Sequence, residues 1–191
     1  MTNFNIENYI IKDKIKKEIS LEKIKRNHLW AYPGNTFFCN QKCICGGEGH
    51  DLNIEEINKY RLHNDIWKDI IINNYEKCLI VEDTHTLINN WIKKDKLIIN
   101  NIPDKWEFLY LGHKSKTTRK AYVEENDNPI FKKSKIGCSG TYIYAVTIDC
   151  VEKMLTHAFP IKSTISKYIS YFLIQNKLIE HAYISTINLV I

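Results

Sequence analysis

Apolar residues recur along this chain in two rhythms. From 53 to 73 they return every three or four positions, at Ile57, Tyr60, Trp67, Ile70 and Ile71, with Asn64 on the same side. That spacing places them on one helix face and predicts an amphipathic helix. Asn53 is its cap, and Glu55 and Glu56 fall in the first turn, where carboxylates complement the helix dipole. Asn73-Asn74 ends it. Cys78-Leu79-Ile80-Val81 then runs unbroken, as in a strand covered on both faces, and stops at Glu82-Asp83-Thr84-His85. A second such run, W-E-F-L-Y-L at 106–111, closes at Gly112, and a third spans 140–146. A helix follows over 149–158, with Val151, Met154 and Leu155 on one side. Pro160 interrupts the pattern, and a last helix is predicted over 163–178 through Ile165, Tyr168, Ile169, Phe172 and Leu173.

The remaining stretches are less regular. Ile15, Ile19 and Ile24 stand at roughly helical spacing within 1–29, with a short strand around 9–11 as the alternative. Residues 30–51 carry Pro33-Gly34 and Gly46-Gly47-Glu48-Gly49, which is loop chemistry. A helix or a pair of turns is expected over 86–103, and a polar, basic loop over 114–128. Strands alternating with helices predict one layered α/β domain with a mixed, mostly parallel sheet flanked by helices. Its divergent N-terminal segment with a Cys-rich loop is expected over 1–51 and its core over 52–191. No internal repeat is present. At 191 residues a single domain buries enough surface to fold without a disulfide or metal.

Charge changes this picture little. The formal charge of +5 is spread along the chain rather than gathered into a basic stripe with interleaved aromatics, so nucleic acid is not an expected partner. The bias still favours an anionic ligand such as a nucleotide diphosphate. Asn, Ile and Lys are frequent, as an AT-rich genome of the large DNA virus type would produce. No apolar run reaches the length of a membrane span, and the N-terminus does not read as a secretory signal, so a cytoplasmic protein is expected. The six cysteines are therefore expected to be reduced, with Cys78, Cys138 and Cys150 in the core. Cys39, Cys43, Cys45 and His50 offer three thiolates and an imidazole, enough for tetrahedral zinc. C-x-C is tight for two ligands of one tetrahedron, so an ordinary reduced loop is the preferred reading.

Candidate chemistry gathers at Glu82 and Asp83. Ligands of open α/β sheets bind at the carboxyl ends of strands, where two carboxylates with His85 nearby suit a divalent cation that neutralises a diphosphate. The order of the surrounding motifs sharpens this. The stretch 56–83, E-I-N-K-Y-R-L-H-N-D-I-W followed by a helix and C-L-I-V-E-D, resembles the family 25 glycosyltransferases. That family carries E-I-G-C-x-x-S-H, I-W and L-I-L-E-D-D, so Glu56, Ile57, His63, Trp67, Glu82 and Asp83 fall in register. W-E-F-L-Y-L-G at 106–112, G-T-Y-I-Y at 140–144 and F-P-I-K-S-T-I-S-K-Y at 159–168 are similar to its W-D-x-x-x-L-G, G-T-x-x-Y-x-I and P-I-x-x-P-I-D-x-x-L segments. The likeness spans roughly 52–175.

The resemblance implies a GT-A type fold and transfer of a hexose from a nucleotide sugar, a UDP-sugar above all, to a glycan or protein acceptor. It places donor contacts at His63, Glu82, Asp83, Gly140 and Thr141, catalytic positions at Asp83 and Ser166, and Mn²⁺ or Mg²⁺ at Asp83 with His85. The departures fall on chemistry. Thr84 stands where the family has the third acid, Leu62 where it has the Ser before His63, and Ser166 where it has the Asp of P-I-D. The N-L-x-x-R-x-x-R strand is missing, with Arg26 the only arginine there. Serine needs a partner before it acts as a base, and imidazole is softer than the oxygen set these cations prefer. The alternative is therefore a catalytically degenerate module that binds nucleotide, glycan or a partner protein, paired with a second copy or an active transferase. A third reading is a small interaction domain organised by zinc at the Cys cluster.

Overall fold

The computed structural model describes residues 7–11, 52–82, 97–114, 123–124, 127–159, 161 and 163–190. Among the described residues ten α-helices and β-strands run in chain order. They are β1 (Glu7–Ile11), α1 (Ile54–Ile72), β2 (Lys77–Glu82), β3 (Phe108–Gly112), β4 (Val123–Glu124), β5 (Phe131–Ser134), β6 (Ile143–Thr147), α2 (Ile148–Thr156), α3 (Ile165–Lys167) and β7 (Ala182–Ser185). The strands form one sheet in the order β1-β2-β6-β3-β7-β5-β4. Five of them, β2 to β5 in that order, make its centre, with β1 and the two-residue β4 at the edges.

The α/β class is as the sequence predicts, but the sheet is mostly antiparallel rather than mostly parallel. Only β1–β2 and β3–β7 pair in parallel, while β2–β6, β3–β6, β4–β5 and β5–β7 are antiparallel. Parallel neighbours need a long crossover, and both parallel pairs have helices in the intervening chain: α1 in the first, α2 and α3 in the second. Two of the antiparallel pairings arise because β6 inserts between β2 and β3 in the opposite direction. A short apolar run gives no strand direction, so this was not legible from the pattern.

The predicted helix at 53–73 is observed as α1, with a capping box at its start. The Glu56 N–H donates to Asn53 Oδ1 (2.9 Å) and the Asn53 N–H to Glu56 Oε2 (3.0 Å). Ile57, Tyr60, Trp67 and Ile70 are fully buried and pack with Cys150, Val151 and Met154 of α2 and Ile169 and Leu173 further on. This helical layer covers one sheet face through Cys78, Ile80, Phe108, Tyr110, Tyr144 and Val146. The opposite face is closed by Ile98, Trp106, Leu189 and Val190 against Leu109, Leu111, Phe131, Ile143 and Ala145.

Two further differences concern the last helix and the loops. The predicted helix at 163–178 starts as α3, capped by Thr164, then widens into π-helical turns over Tyr168–Ile174. The Gln175 N–H there donates to Ser170 O, five residues back (3.1 Å). The predicted loop around 128 is followed by β5, F-K-K-S, with Phe131 and Ser134 buried and the lysines between them only partly so. From 86–103 the described part, 97–103, begins with a helical turn at 97–99. Within 1–29 the strand alternative around 9–11 is observed as β1, while Ile15, Ile19, Ile24 and Arg26, the cluster Cys39, Cys43, Cys45 and His50, and Asp83, Thr84 and His85 lie outside the described residues. Cys78, Cys138 and Cys150 are buried free thiols, as expected. No helix among the described residues is long and apolar enough to cross a membrane.

One position on the buried face of α1 breaks the pattern. Asn64 is 1% exposed, yet among the described residues neither its Oδ1 nor its Nδ2 has a hydrogen-bond partner. A buried, unpaired polar group costs about 1–3 kcal/mol, and leucine is also the better helix former. Asn64→Leu is therefore expected to raise stability by about 1–2 kcal/mol. Urea unfolding followed by circular dichroism measures it, and a loss of stability would show that the amide has a partner after all.

Candidate functional site

The period of two along β2 sets the site. Cys78, Ile80 and Glu82 face the helical layer in alternation, so the last residue of the strand delivers a carboxylate to the end of an otherwise apolar stripe. Glu82 is 4% exposed, and a charge so placed must be paired. Helix α1 provides the pairing. Lys59 and His63, one helical turn apart, share a face and both reach the same carboxylate. Lys59 Nζ donates to Oε2 (2.7 Å), and His63 Nε2 meets Oε1 (3.1 Å). Thr141, on the segment leading into β6, donates its hydroxyl to the same Oε1 (3.0 Å).

Behind His63 the network continues inward. Its Nδ1 lies 2.6 Å from Tyr144 Oη, and Trp67 Nε1–H donates to that oxygen (3.1 Å). Tyr144 stacks on His63 at 5.6 Å between ring centres and on Phe108 at 5.0 Å. The hydrogen-bond pattern fixes the tautomer. With His63 neutral and its proton on Nε2, Tyr144 accepts from Trp67 and donates to Nδ1, while Nε2–H donates to Glu82, so every group is satisfied. Protonating Nδ1 would make Tyr144 Oη accept twice and leave its own proton without an acceptor. Burial pushes the His63 pKa below its ordinary value, against the pull of Glu82. Burial alone would raise the Glu82 carboxyl, but the hydrogen bond from His63 and the ammonium of Lys59 outweigh it and hold the group below its ordinary value.

The segment 137–142 is pinned between this network and the π-helical turns. Ser170 Oγ donates to Cys138 O (2.8 Å), the Lys114 N–H to Ser139 O (3.0 Å) and the Gly140 N–H to Ser166 Oγ (3.1 Å). Gly140 has φ +89°, and a Cβ there would lie 2.8 Å from the Tyr142 ring, so glycine is required. Gly137 is equally constrained: φ is +83° and an added Cβ would sit 2.8 Å from the Ser170 backbone.

The structure thus brings together His63, Glu82 and Thr141, and joins Gly140 to Ser166 one residue away. Asp83 and His85, the expected metal pair, lie outside the described residues. No family model and no curated protein matches this sequence.

Sequence reasoning missed Lys59, Tyr144 and the polar role of Trp67. Lys59 was legible in principle, since it stands four residues before His63 and so on the same helix face. Tyr144 was hidden in an apolar run, where its hydroxyl gave no signal of a partner. Ser166 is half-buried and its Oγ accepts the Gly140 N–H; the contacts it makes are those of a residue that positions a loop. Among the described residues no three His, Cys, Asp or Glu side chains come together to hold a metal ion.

Proposed function

We propose that this chain is a nucleotide-sugar-binding domain of GT-A type that transfers a hexose from a UDP-sugar to a glycan or protein acceptor. One observation carries the reading. His63, Glu82 and Thr141, assigned to donor contacts from three separate motifs, meet within hydrogen-bond distance at the carboxyl end of β2, where α/β sheets bind ligands. Gly140 and Ser166 adjoin them through one hydrogen bond. Residues far apart in the chain share one place, as a donor pocket requires.

The degenerate binding module is the second reading, and it has its own support. Both Glu82 oxygens already accept hydrogen bonds from the protein, and Ser166 stands where the family places an acid. Calorimetric titration with UDP and with UDP- and GDP-sugars, in Mn²⁺ and again in chelator, separates the two when joined to a donor-hydrolysis assay. Binding of a UDP-sugar that Glu82→Gln weakens about tenfold or more, with turnover, is the expected result. Binding without hydrolysis or transfer favours the module. No binding to any nucleotide rejects both and redirects the search to glycan or protein partners.

A further inference from the structure

The resemblance brings a divalent cation to the end of β2, at Asp83 with His85, and the neighbouring carboxylate of Glu82 is not open to share it. A hard cation is held by carboxylate oxygens with open lone pairs. Here Oε1 accepts both the His63 imidazole and the Thr141 hydroxyl, and Oε2 accepts the Lys59 ammonium at 2.7 Å. A metal ion approaching Oε2 would have to displace that ammonium, which carries the same sign of charge. Lys59 is also built into its place. Its ammonium lies 5.9 Å from the centre of the Tyr142 ring, whose face favours a cation. At the same time the Lys59 side chain is 42% exposed, against 5% for Glu82. The buried carboxylate therefore presents a positive, not a negative, group to an incoming ligand. An ammonium has three donors, and among the described residues Glu82 is the only hydrogen-bond partner of this one.

We infer that Lys59 holds, at Glu82, the position a divalent cation would take, and that the site meets a phosphate-bearing ligand with an ammonium in place of a metal ion. The class of ligand depends on the nucleotide-sugar reading; the replacement of cation by ammonium does not. Mn²⁺ alone is the probe, followed by the loss of its free-ion electron paramagnetic resonance signal on titration with the full chain. Wild type and Lys59→Met are compared, each with and without Glu82→Gln. Methionine keeps the unbranched stem at a half-exposed helix position and removes the charge, and Lys59→Arg keeps the charge.

The wild type and Lys59→Arg are expected to show no Mn²⁺ binding that Glu82→Gln removes. Lys59→Met is expected to gain one such site, with affinity at least about tenfold above the wild type. Equal Mn²⁺ binding by wild type and Lys59→Met overturns the inference, as does a gain in Lys59→Met that survives Glu82→Gln. Because no nucleotide enters this titration, failure of the UDP-sugar experiment leaves its outcome intact.

Discussion

Glu82→Leu is expected to destabilise the fold by about 2–4 kcal/mol. The size follows from what is left behind. His63 Nε2–H and the Thr141 hydroxyl both lose the only acceptor they have among the described residues, in the interior, where each residue is 1% exposed. An orphaned buried donor costs about 1–3 kcal/mol. Lys59 adds little, because its half-exposed ammonium regains water. Leucine also recovers part of the loss through burial. Glu82→Gln should cost less than Glu82→Leu, since an amide oxygen still accepts from His63 and Thr141. Urea midpoints of the three proteins give the comparison. A cost of Glu82→Leu below about 0.5 kcal/mol, the range of an ordinary surface change, would mean that the carboxylate does not hold these elements together.

The second large effect is acid sensitivity. His63 is buried and neutral with its pKa below 6.5, so an unfolded chain takes up a proton that the native one refuses. In that window stability falls as pH falls, by up to about 1.4 kcal/mol per pH unit. The Glu82 carboxyl is also depressed, from 4.5. Its contribution is complete above that value and is lost as pH drops through the folded value. Both groups work in the same direction, His63 first and Glu82 at stronger acid. His63→Gln tests the first stage, because glutamine can donate to Glu82 and accept from Tyr144 without titrating. Unfolding free energy measured from pH 7.5 down to about 4.5 should fall less steeply in the variant below pH 6.5. Identical slopes would remove His63 from the account.

The parts of the fold legible in the sequence were those whose pattern is local. The capped helix α1, the strands β2 and β3 and the helix after β6 follow from spacing within a few residues of Asn53, Cys78, Trp106 and Val151. The direction of β6 was not legible, because it is set by which strands flank it, and an apolar run reads the same both ways. Strand β5 was missed because Lys132 and Lys133 hide a strand whose ends, Phe131 and Ser134, are the buried positions. The wide turns after Lys167 gave no sign either, since Ile169 and Leu173 suit an α-helix as well. At the site, His63, Glu82 and Thr141 were singled out because their motifs carry chemistry. Tyr144 and Lys59 were not, because hydrogen-bond partners lie across elements and a single sequence does not pair them.

The chain of bonds from Trp67 through Tyr144 and His63 to Glu82 has a consequence for how this protein varies. Each proton in it points toward the carboxylate, so Trp67, Tyr144 and His63 each donate to the next member, and Tyr144, His63 and Glu82 each accept from the one before. Exchange of Tyr144 for phenylalanine strands the indole N–H and leaves the imidazole nitrogen bare; exchange of His63 for leucine strands the tyrosine hydroxyl and removes a donor from Glu82. Lineages descended from this sequence should therefore keep the four residues together or replace them in concert, with intermediates that change one alone being the rare ones.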